Sequence, residues 1–319
     1  MRRIIFFIIL SVSVSLQAQT VSFQQLVTEH EQKSFPESIP AGNFSGITTL
    51  GKNLYAVVDD KRGDGFYVFR IKFNPEGDIT SIQNLGFRGS GLYNRNDEGI
   101  VYVPSWKTVF ISGEEDNKVL EYDLKGRHTG RMLDVPEIFK KAKPNLGLEA
   151  LAYNANTHLF WTTSESPLTG DSTHVLCSFN ENLQFQDKVE YVMDAPSTDE
   201  SGEIHVHGVS EMTALDDGSL LILEREAYVP KERIGAWAIC KIYQFFPHAN
   251  VKKQLIHEWK TDLSLFHQDF ANYEGMCLGP KLKDGSQVIL LVADSQEQYK
   301  GVLSDWFKTL VIRRSEPNQ

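Results

Sequence analysis

The apolar and polar positions of this chain fall into a unit that occurs five times. A polar residue opens an apolar strand, a turn follows, and a second apolar strand ends in acid. The unit reads Ser45-Gly46-Ile47 to Leu54-Tyr55-Ala56-Val57-Val58-Asp59-Asp60, then Glu98-Gly99-Ile100 to Val109-Phe110-Ile111-Ser112-Gly113-Glu114-Glu115. It continues as Glu149-Ala150-Leu151 to Leu159-Phe160-Trp161-Thr162-Thr163-Ser164-Glu165, as Glu211-Met212 to Leu220-Leu221-Ile222-Leu223-Glu224-Arg225-Glu226, and as Glu274-Gly275-Met276 to Val288-Ile289-Leu290-Leu291-Val292-Ala293-Asp294. Starts at 45, 98, 149, 211 and 274 give a period typical of an all-β propeller or a related array.

Two further strands follow each of the first four hairpins. In the first unit they run from Phe66 to Phe73 and from Ile79 to Phe87, joined by the turn signal Asn74-Pro75-Glu76-Gly77-Asp78. The pattern predicts four-stranded blades. Counting gives five, with room for a sixth only in the longer spacings after Glu149 or Glu211. The last unit has one more strand, Trp306 to Arg313, and then the chain nearly stops. An orphan strand from Val21 to Val27 supplies the missing fourth and hides an edge that would otherwise invite aggregation.

In a propeller the first strand of each blade lines the central channel and the second returns beside it, so strand starts and strand ends share one mouth. Ser45 is then expected to meet Asp59 and Asp60, Glu98 to meet Glu114 and Glu115, Glu149 to meet Glu165, Glu211 to meet Glu224, and Glu274 to meet Asp294. The result is an acidic collar, in which like charges raise one another's pKa values unless a cation or a basic side chain compensates. Ca²⁺ suits such a site, because it takes several carboxylate and carbonyl oxygens in flexible geometry. The long loops at the same mouth carry Lys61-Arg62, Arg95, Lys140-Lys141-Ala142-Lys143, His205 with His207, Lys231, and His267-Gln268-Asp269; binding usually sits on loops of this kind.

Arg2 and Arg3, an apolar run from Ile4 to Leu10, and Ala18 before Gln19 have the layout of a secretory leader. Residues 1 to 18 are therefore expected to be cleaved, leaving residues 19 to 319 as one exported domain, periplasmic or secreted, with no transmembrane segment. The whole chain carries 32 basic and 42 acidic residues; without the two leader arginines the balance is 30 − 42 = −12. Nucleic acid and anionic membranes are poor partners for that charge. Cys177, Cys240 and Cys277 are read as small buried hydrophobes.

His205-Val206-His207 has metal-ligand spacing on one strand face, but no third His or Cys stands at a supporting interval. Neither a Gly-x-Ser-x-Gly elbow nor a P-loop occurs, which argues against an α/β hydrolase or an NTPase.

Phe44-Ser45-Gly46-Ile47, Asp97-Glu98-Gly99-Ile100, Asn145 to Leu151, Gly208 to Met212 with Leu221 to Arg225, and Asn272 to Met276 with Leu291 to Ser295 resemble the bacterial phytase-like esterase domain over most of the chain and in the same order. Ser45 to Thr48 and Asn145 to Tyr153 also resemble the SdiA-regulated family of exported propellers. The Glu-Gly elements are similar to those of gluconolactonase propellers, in which such a Glu holds the divalent metal.

Together these features lead to a Ca²⁺-dependent hydrolase of phosphate or carboxylic esters, acting on a small-molecule ester or anionic ligand at the channel mouth. Expected metal ligands are Glu98, Glu149, Asp60 and Glu115; catalytic residues Glu211, Arg225 and Glu274; ligand contacts Arg62, Arg95 and His207. The alternatives are a non-catalytic propeller that binds a glycan, peptide or small anion, and a lactonase of the gluconolactonase type.

Overall fold

The computed structural model describes residues 25–249, 253–264 and 268–314. The expected leader, the start of the expected closing strand at Val21, and His267 lie outside the described residues. Strand β1 (Gln25–Glu29) precedes five successive groups. Blade 1 holds β2 (Phe44–Gly51), β3 (Leu54–Asp59), β4 (Gly65–Phe73) and β5 (Ile79–Gly89); blade 2 holds β6 (Asp97–Val103), β7 (Thr108–Gly113), β8 (Lys118–Asp123) and β9 (His128–Met132). Blade 3 is β10 (Leu148–Asn154), β11 (Leu159–Ser164), β12 (His174–Phe179) and β13 (Phe185–Tyr191); blade 4 is β14 (Ile204–Ala214), β15 (Leu220–Val229), β16 (Ala236–Phe245) and β17 (Lys253–Leu263). Blade 5 is β18 (Asn272–Lys281), β19 (Gln287–Asp294), β20 (Phe307–Arg314) and, as its fourth strand, β1. All pairings between neighbouring strands within the blades are antiparallel.

First strands pack on first strands around a closed circuit: β2 on β6, β6 on β10, β10 on β14, β14 on β18, and β18 on β2. The molecule is a five-bladed β-propeller, and no sixth blade exists among the described residues. Closure uses the N-terminal strand as expected, with Gln25 opposite Arg314 through Glu29 opposite Leu310. Lys308 Nζ, nearly buried, meets Glu29 Oε1 at 2.6 Å across this seam.

The apolar runs are continuous rather than alternating because both faces of a blade are covered. Along β3, Tyr55 and Val57 join a core shared with blade 5, while Ala56 and Val58 join one shared with blade 2. Along β15, Leu220 and Ile222 pack against blade 3, and Leu221 and Leu223 against blade 5. Each blade interface thus has its own core, and each fully buried Leu, Ile or Phe in it stabilises the ring by about 1.5–3 kcal/mol. The three cysteines are free and buried in these cores.

Every first strand breaks its pairing with the second at the repeated motif. The register slips between Phe44 and Ile47, Asp97 and Ile100, Leu148 and Ala150, Val209 and Glu211, and Tyr273 and Gly275. Bulges of this kind re-aim a side chain, here toward the axis. Gly46 and Gly99 follow from the close approach of neighbouring blades: a Cβ on Gly46 would lie 2.2 Å from Glu98 O, and one on Gly99 2.5 Å from Glu149 O. Blade 4 differs in length. Its first hairpin is paired from Ile204 opposite Val229 to Ala214 opposite Leu220, so residues 204–208 and 225–229 project past the motif and wall one side of the mouth.

Candidate active site at the channel mouth

The slips in register define two rings of side chains. One ring comes from the irregular position of each first strand: Ser45, Glu98, Glu149, Ser210 and Glu274. The other comes from the position one residue past the second-strand partner of the residue before each slip: Asp60, Glu114, Glu165, Arg225 and Asp294. Three of these make the same backbone bond, with Asp60 N donating to Asn43 O, Glu114 N to Asn96 O and Glu165 N to Gly147 O. Seven carboxylates therefore share the mouth with one guanidinium.

Blade 4 corrects the expected partnership of Glu211 with Glu224. The extra residue at the bulge is Ser210, which shifts the phase by one, so Val209 stands opposite Glu224 and Glu211 opposite Leu223. Glu224 turns away from the axis to Tyr191 and Lys253. Glu211 occupies the place held by Ala150 and Gly275 in neighbouring blades. It is fully enclosed, and its Oε1 accepts from Leu151 N of blade 3 (2.9 Å) and from Met212 N (2.8 Å). Arg225 reaches other acids: its Nη2 is 2.9 Å from Glu165 Oε1 and 3.2 Å from Glu274 Oε1.

Burial raises the pKa of Glu98 and Glu149 well above the usual carboxylate range; repulsion from Glu149 adds to it at Glu98, and repulsion from Glu165 and Glu274 adds to it at Glu149. Glu274 is raised in the same way, by burial and then by Asp294, with Arg225 opposing. Burial pushes Asp294 up to about 7, with Asp60 adding repulsion, and it also raises Glu165 and Asp60. For Arg225, burial works against the charge, but Glu165, Glu274 and Glu149 hold it above the ordinary arginine range.

Hydrogen bonds fix some of these carboxylates and leave others open. Glu114 accepts from Gly147 N at 3.1 Å and from the Asn96 amide, Asp294 accepts from Gln296 N at 2.8 Å, and Glu274 from Asn272 Nδ2 at 2.6 Å. The side chains of Glu98 and Glu149 accept no hydrogen bond among the described residues.

One oxygen each from Glu114, Glu149 and Glu165 lie within 4.8 Å of one another. Three more acceptors, Asn43 Oδ1, Asp60 Oδ1 and Asn272 Oδ1, are buried without a hydrogen-bond partner. A set this rich in hard oxygen donors fits a divalent cation such as Ca²⁺. The fit adds Glu114 and Glu165 to the expected ligands. Both were legible as strand-end acids facing Glu98 and Glu149, but only the register shows that they point inward.

Of the other expected site residues, Asp60 stands in the collar, and Lys61 Nζ reaches its carboxylate. Glu115, one residue beyond Glu114, is exposed. Arg95 lies inside blade 2, where Asp116 (2.9 Å), Tyr122 OH (3.0 Å) and Lys118 O (2.8 Å) hold it. Arg62 is on the exposed loop after β3, its guanidinium 5.1 Å from the ring centre of Tyr67. His207 is half-buried on the projecting part of β14, opposite Glu226; burial lowers its pKa. His205 takes the Glu226 carboxylate at 2.9 Å.

Beside the collar lies a cavity of about 690 Å³. Glu165, Arg225, Glu274 and Asp294 line it together with apolar residues of the projecting hairpin and of the loops near it. The cavity is not legible in the sequence, because its walls come from segments far apart in the chain whose apolar residues look like ordinary strand and loop positions.

A sequence model for the family described as "Phytase-like: Esterase-like activity of phytase" matches residues 39–296, a span that contains both rings. No curated protein matches the chain. Solved structures similar to it include a protein of unknown function from Bacteroides thetaiotaomicron, 9% identical with a TM-score of 0.44, covering 91% of this chain and 76% of that one. A member of the DUF4221 family from Bacteroides vulgatus is 8% identical with a TM-score of 0.44, covering 91% and 99%. The nidogen/laminin complex gives 9%, 0.42, 87% and 88%. Similarity that remote says nothing of chemistry.

Proposed function

The chain belongs to the phytase-like family defined by the esterase-like activity of phytase, and from that premise we propose that it is an exported, divalent-cation-dependent hydrolase of phosphate or carboxylic esters. The observation that carries the reading is the convergence of Glu114, Glu149 and Glu165 within 4.8 Å inside a collar where, among the described buried residues, Arg225 alone sets a positive charge against seven acids. Glu98, Glu149, Glu114 and Glu165 would hold the cation, with Asp60 beside them. Bound there, Ca²⁺ supplies Lewis-acid polarisation of an ester oxygen.

The protein's own residues supply the rest. Glu274 faces the cavity, and burial makes its carboxylate a better proton acceptor than a free one, as a general base requires. Its Oε1 is oriented by Asn272 and Arg225, which leaves Oε2 to take a proton from water. Arg225, held rigid by Glu165 and Glu274, places fixed positive charge where negative charge develops on the ester oxygens. Glu211 braces blade 4 against blade 3 through Leu151 and so positions Ser210 and the collar beside it.

The test is turnover of p-nitrophenyl phosphate, short-chain p-nitrophenyl esters and simple lactones, with Ca²⁺ and with chelator. Ester hydrolysis that needs Ca²⁺ and falls at least about 100-fold in Glu149→Gln is the expected result. No turnover of any of the three, together with no heat of Ca²⁺ binding, would leave a ligand-binding propeller instead.

A further inference from the structure

The cavity of about 690 Å³ beside the collar has a size usual for pockets that enclose drug-sized ligands, roughly 300–1,000 Å³, and it is built of two unlike parts. Its floor is the collar: Glu165, Arg225, Glu274 and Asp294. Its walls are apolar and include Ile204, Val206 and Val229 of the projecting hairpin, Ile234 of the next turn, Phe270, and Val302 near the start of β20. Three of these, Ile204, Ile234 and Val302, are 50%, 57% and 42% exposed. They come from three separate segments and gather at one rim. Large apolar side chains that converge on a cavity in this way mark a binding site more often than chance exposure.

Charge narrows the occupant. The charged residues lining the cavity are Glu165, Glu203, Glu274 and Asp294 against Arg225 and Arg233. Arg225 is already committed to Glu165 and Glu274, and Arg233 stands 3.7 Å from Glu203. Among the described residues that line the space no basic side chain is uncommitted, so a multiply charged phosphate ester gains no counter-charge from the walls. A neutral ester needs none.

We propose that this cavity holds the apolar arm of a carboxylic ester, a medium-length acyl or an aryl group, with the ester bond at the Arg225–Glu274 floor. The assignment deepens the hydrolase reading and rests on it for the bond's fate, while the seating of the arm is separately measurable. Each CH2 moved from water into the cavity favours binding by up to about fourfold. Lengthening the acyl chain from acetate to octanoate is therefore expected to raise kcat/KM at least about 10-fold, allowing for the cost of ordering the chain.

The test pairs kinetics with binding. Ile204→Glu/Ile234→Glu changes two exposed side chains, so the protein is expected to fold with an unchanged melting temperature. The double variant should lower the octanoate-over-acetate preference at least about 10-fold and weaken binding of 4-nitrophenyl octyl ether, a non-hydrolysable analogue, by a similar factor in calorimetry. Ether binding that the double variant weakens supports the cavity assignment even where no ester is turned over, a case that removes the hydrolase reading alone. Absence of ether binding, equal binding by the folded double variant, or preference for p-nitrophenyl phosphate over the octanoate overturns it.

Discussion

Arg225 is the residue on which the collar's electrostatics turn. It is 4% exposed and is the one basic member of ten equivalent ring positions. Arg225→Met keeps most of the volume but leaves Glu165 and Glu274 buried without their counter-charge. Breaking a buried pair in this way costs about 3–5 kcal/mol. Urea unfolding of metal-free protein at pH 8 is expected to show a loss of that size, and a smaller loss at pH 5, because both carboxyls are raised by burial and lower pH favours their neutral forms. An equal loss at both pH values would mean that Arg225 acts through packing alone. Glu211 calls for a different comparison. Its Oε1 accepts two backbone N–H groups, a role an amide oxygen can fill, so Glu211→Gln should stay within about 1 kcal/mol of the parent, whereas Glu211→Ala strands two buried donors at about 1–3 kcal/mol each. A Glu211→Gln protein that folds normally but loses Ca²⁺ binding or turnover would return Glu211 to the catalytic set.

At the scale of strands, the sequence was most readable where periodicity and burial agree. Five hairpins with continuous apolar second strands required blades covered on both faces, and the incomplete last unit required an outside strand. What alignment of motifs alone did not convey was phase. Glu211 looks equivalent to Glu98 and Glu274 because all three precede an apolar strand, yet a single bulged residue makes Ser210 the equivalent. Register is a property of pairing, and one residue moves a side chain to the other face. The cavity was unreadable for a related reason: its walls become neighbours only after the ring closes. Closure itself is testable. Pairing of β1 with β20 runs from Gln25–Arg314 to Glu29–Leu310, with Lys308 buried against Glu29. Deleting residues 19 to 30 uncovers the full edge of β20 and leaves Lys308 without that partner. The truncated protein is expected to melt at least about 10 °C lower, since even a few kcal/mol moves a domain of this size by about that much, and to aggregate on heating. An unchanged melting temperature would show that blade 5 is stable with three strands.

For the whole molecule, the collar couples folding, protons and cation. Carboxylates raised in the folded state bind more protons than they do in the unfolded chain, where Asp titrates near 3.9. Stability therefore falls as pH rises through the window between the two values. Asp294, pushed up to about 7, and Asp59, pushed up to about 6 by burial and by Asp60, place that window between about pH 4 and pH 7, with Glu98, Glu149 and Glu274 acting in the same direction. On the acid side the sign reverses: Lys253, Tyr243 and Lys241 overcome the effect of burial to hold Asp194 below the usual carboxylate range, so its contribution is lost as pH falls. Metal-stripped protein should thus be most stable between about pH 4 and pH 5 and lose melting temperature from there toward pH 8. A cation seated among the same carboxylates replaces their protons, so millimolar Ca²⁺ is expected to restore the melting temperature at pH 8 and to do much less at pH 5. At 100 times the dissociation constant the gain is about 2.7 kcal/mol. Ca²⁺ binding near pH 6.5 should also release protons, which calorimetry in two buffers of different ionisation enthalpy reads directly. A melting temperature that rises from pH 5 to pH 8 without metal, or Ca²⁺ binding with no proton release at pH 6.5, would mean that the collar is compensated from within by Arg225 and Lys61, and that the hydrolase needs another account.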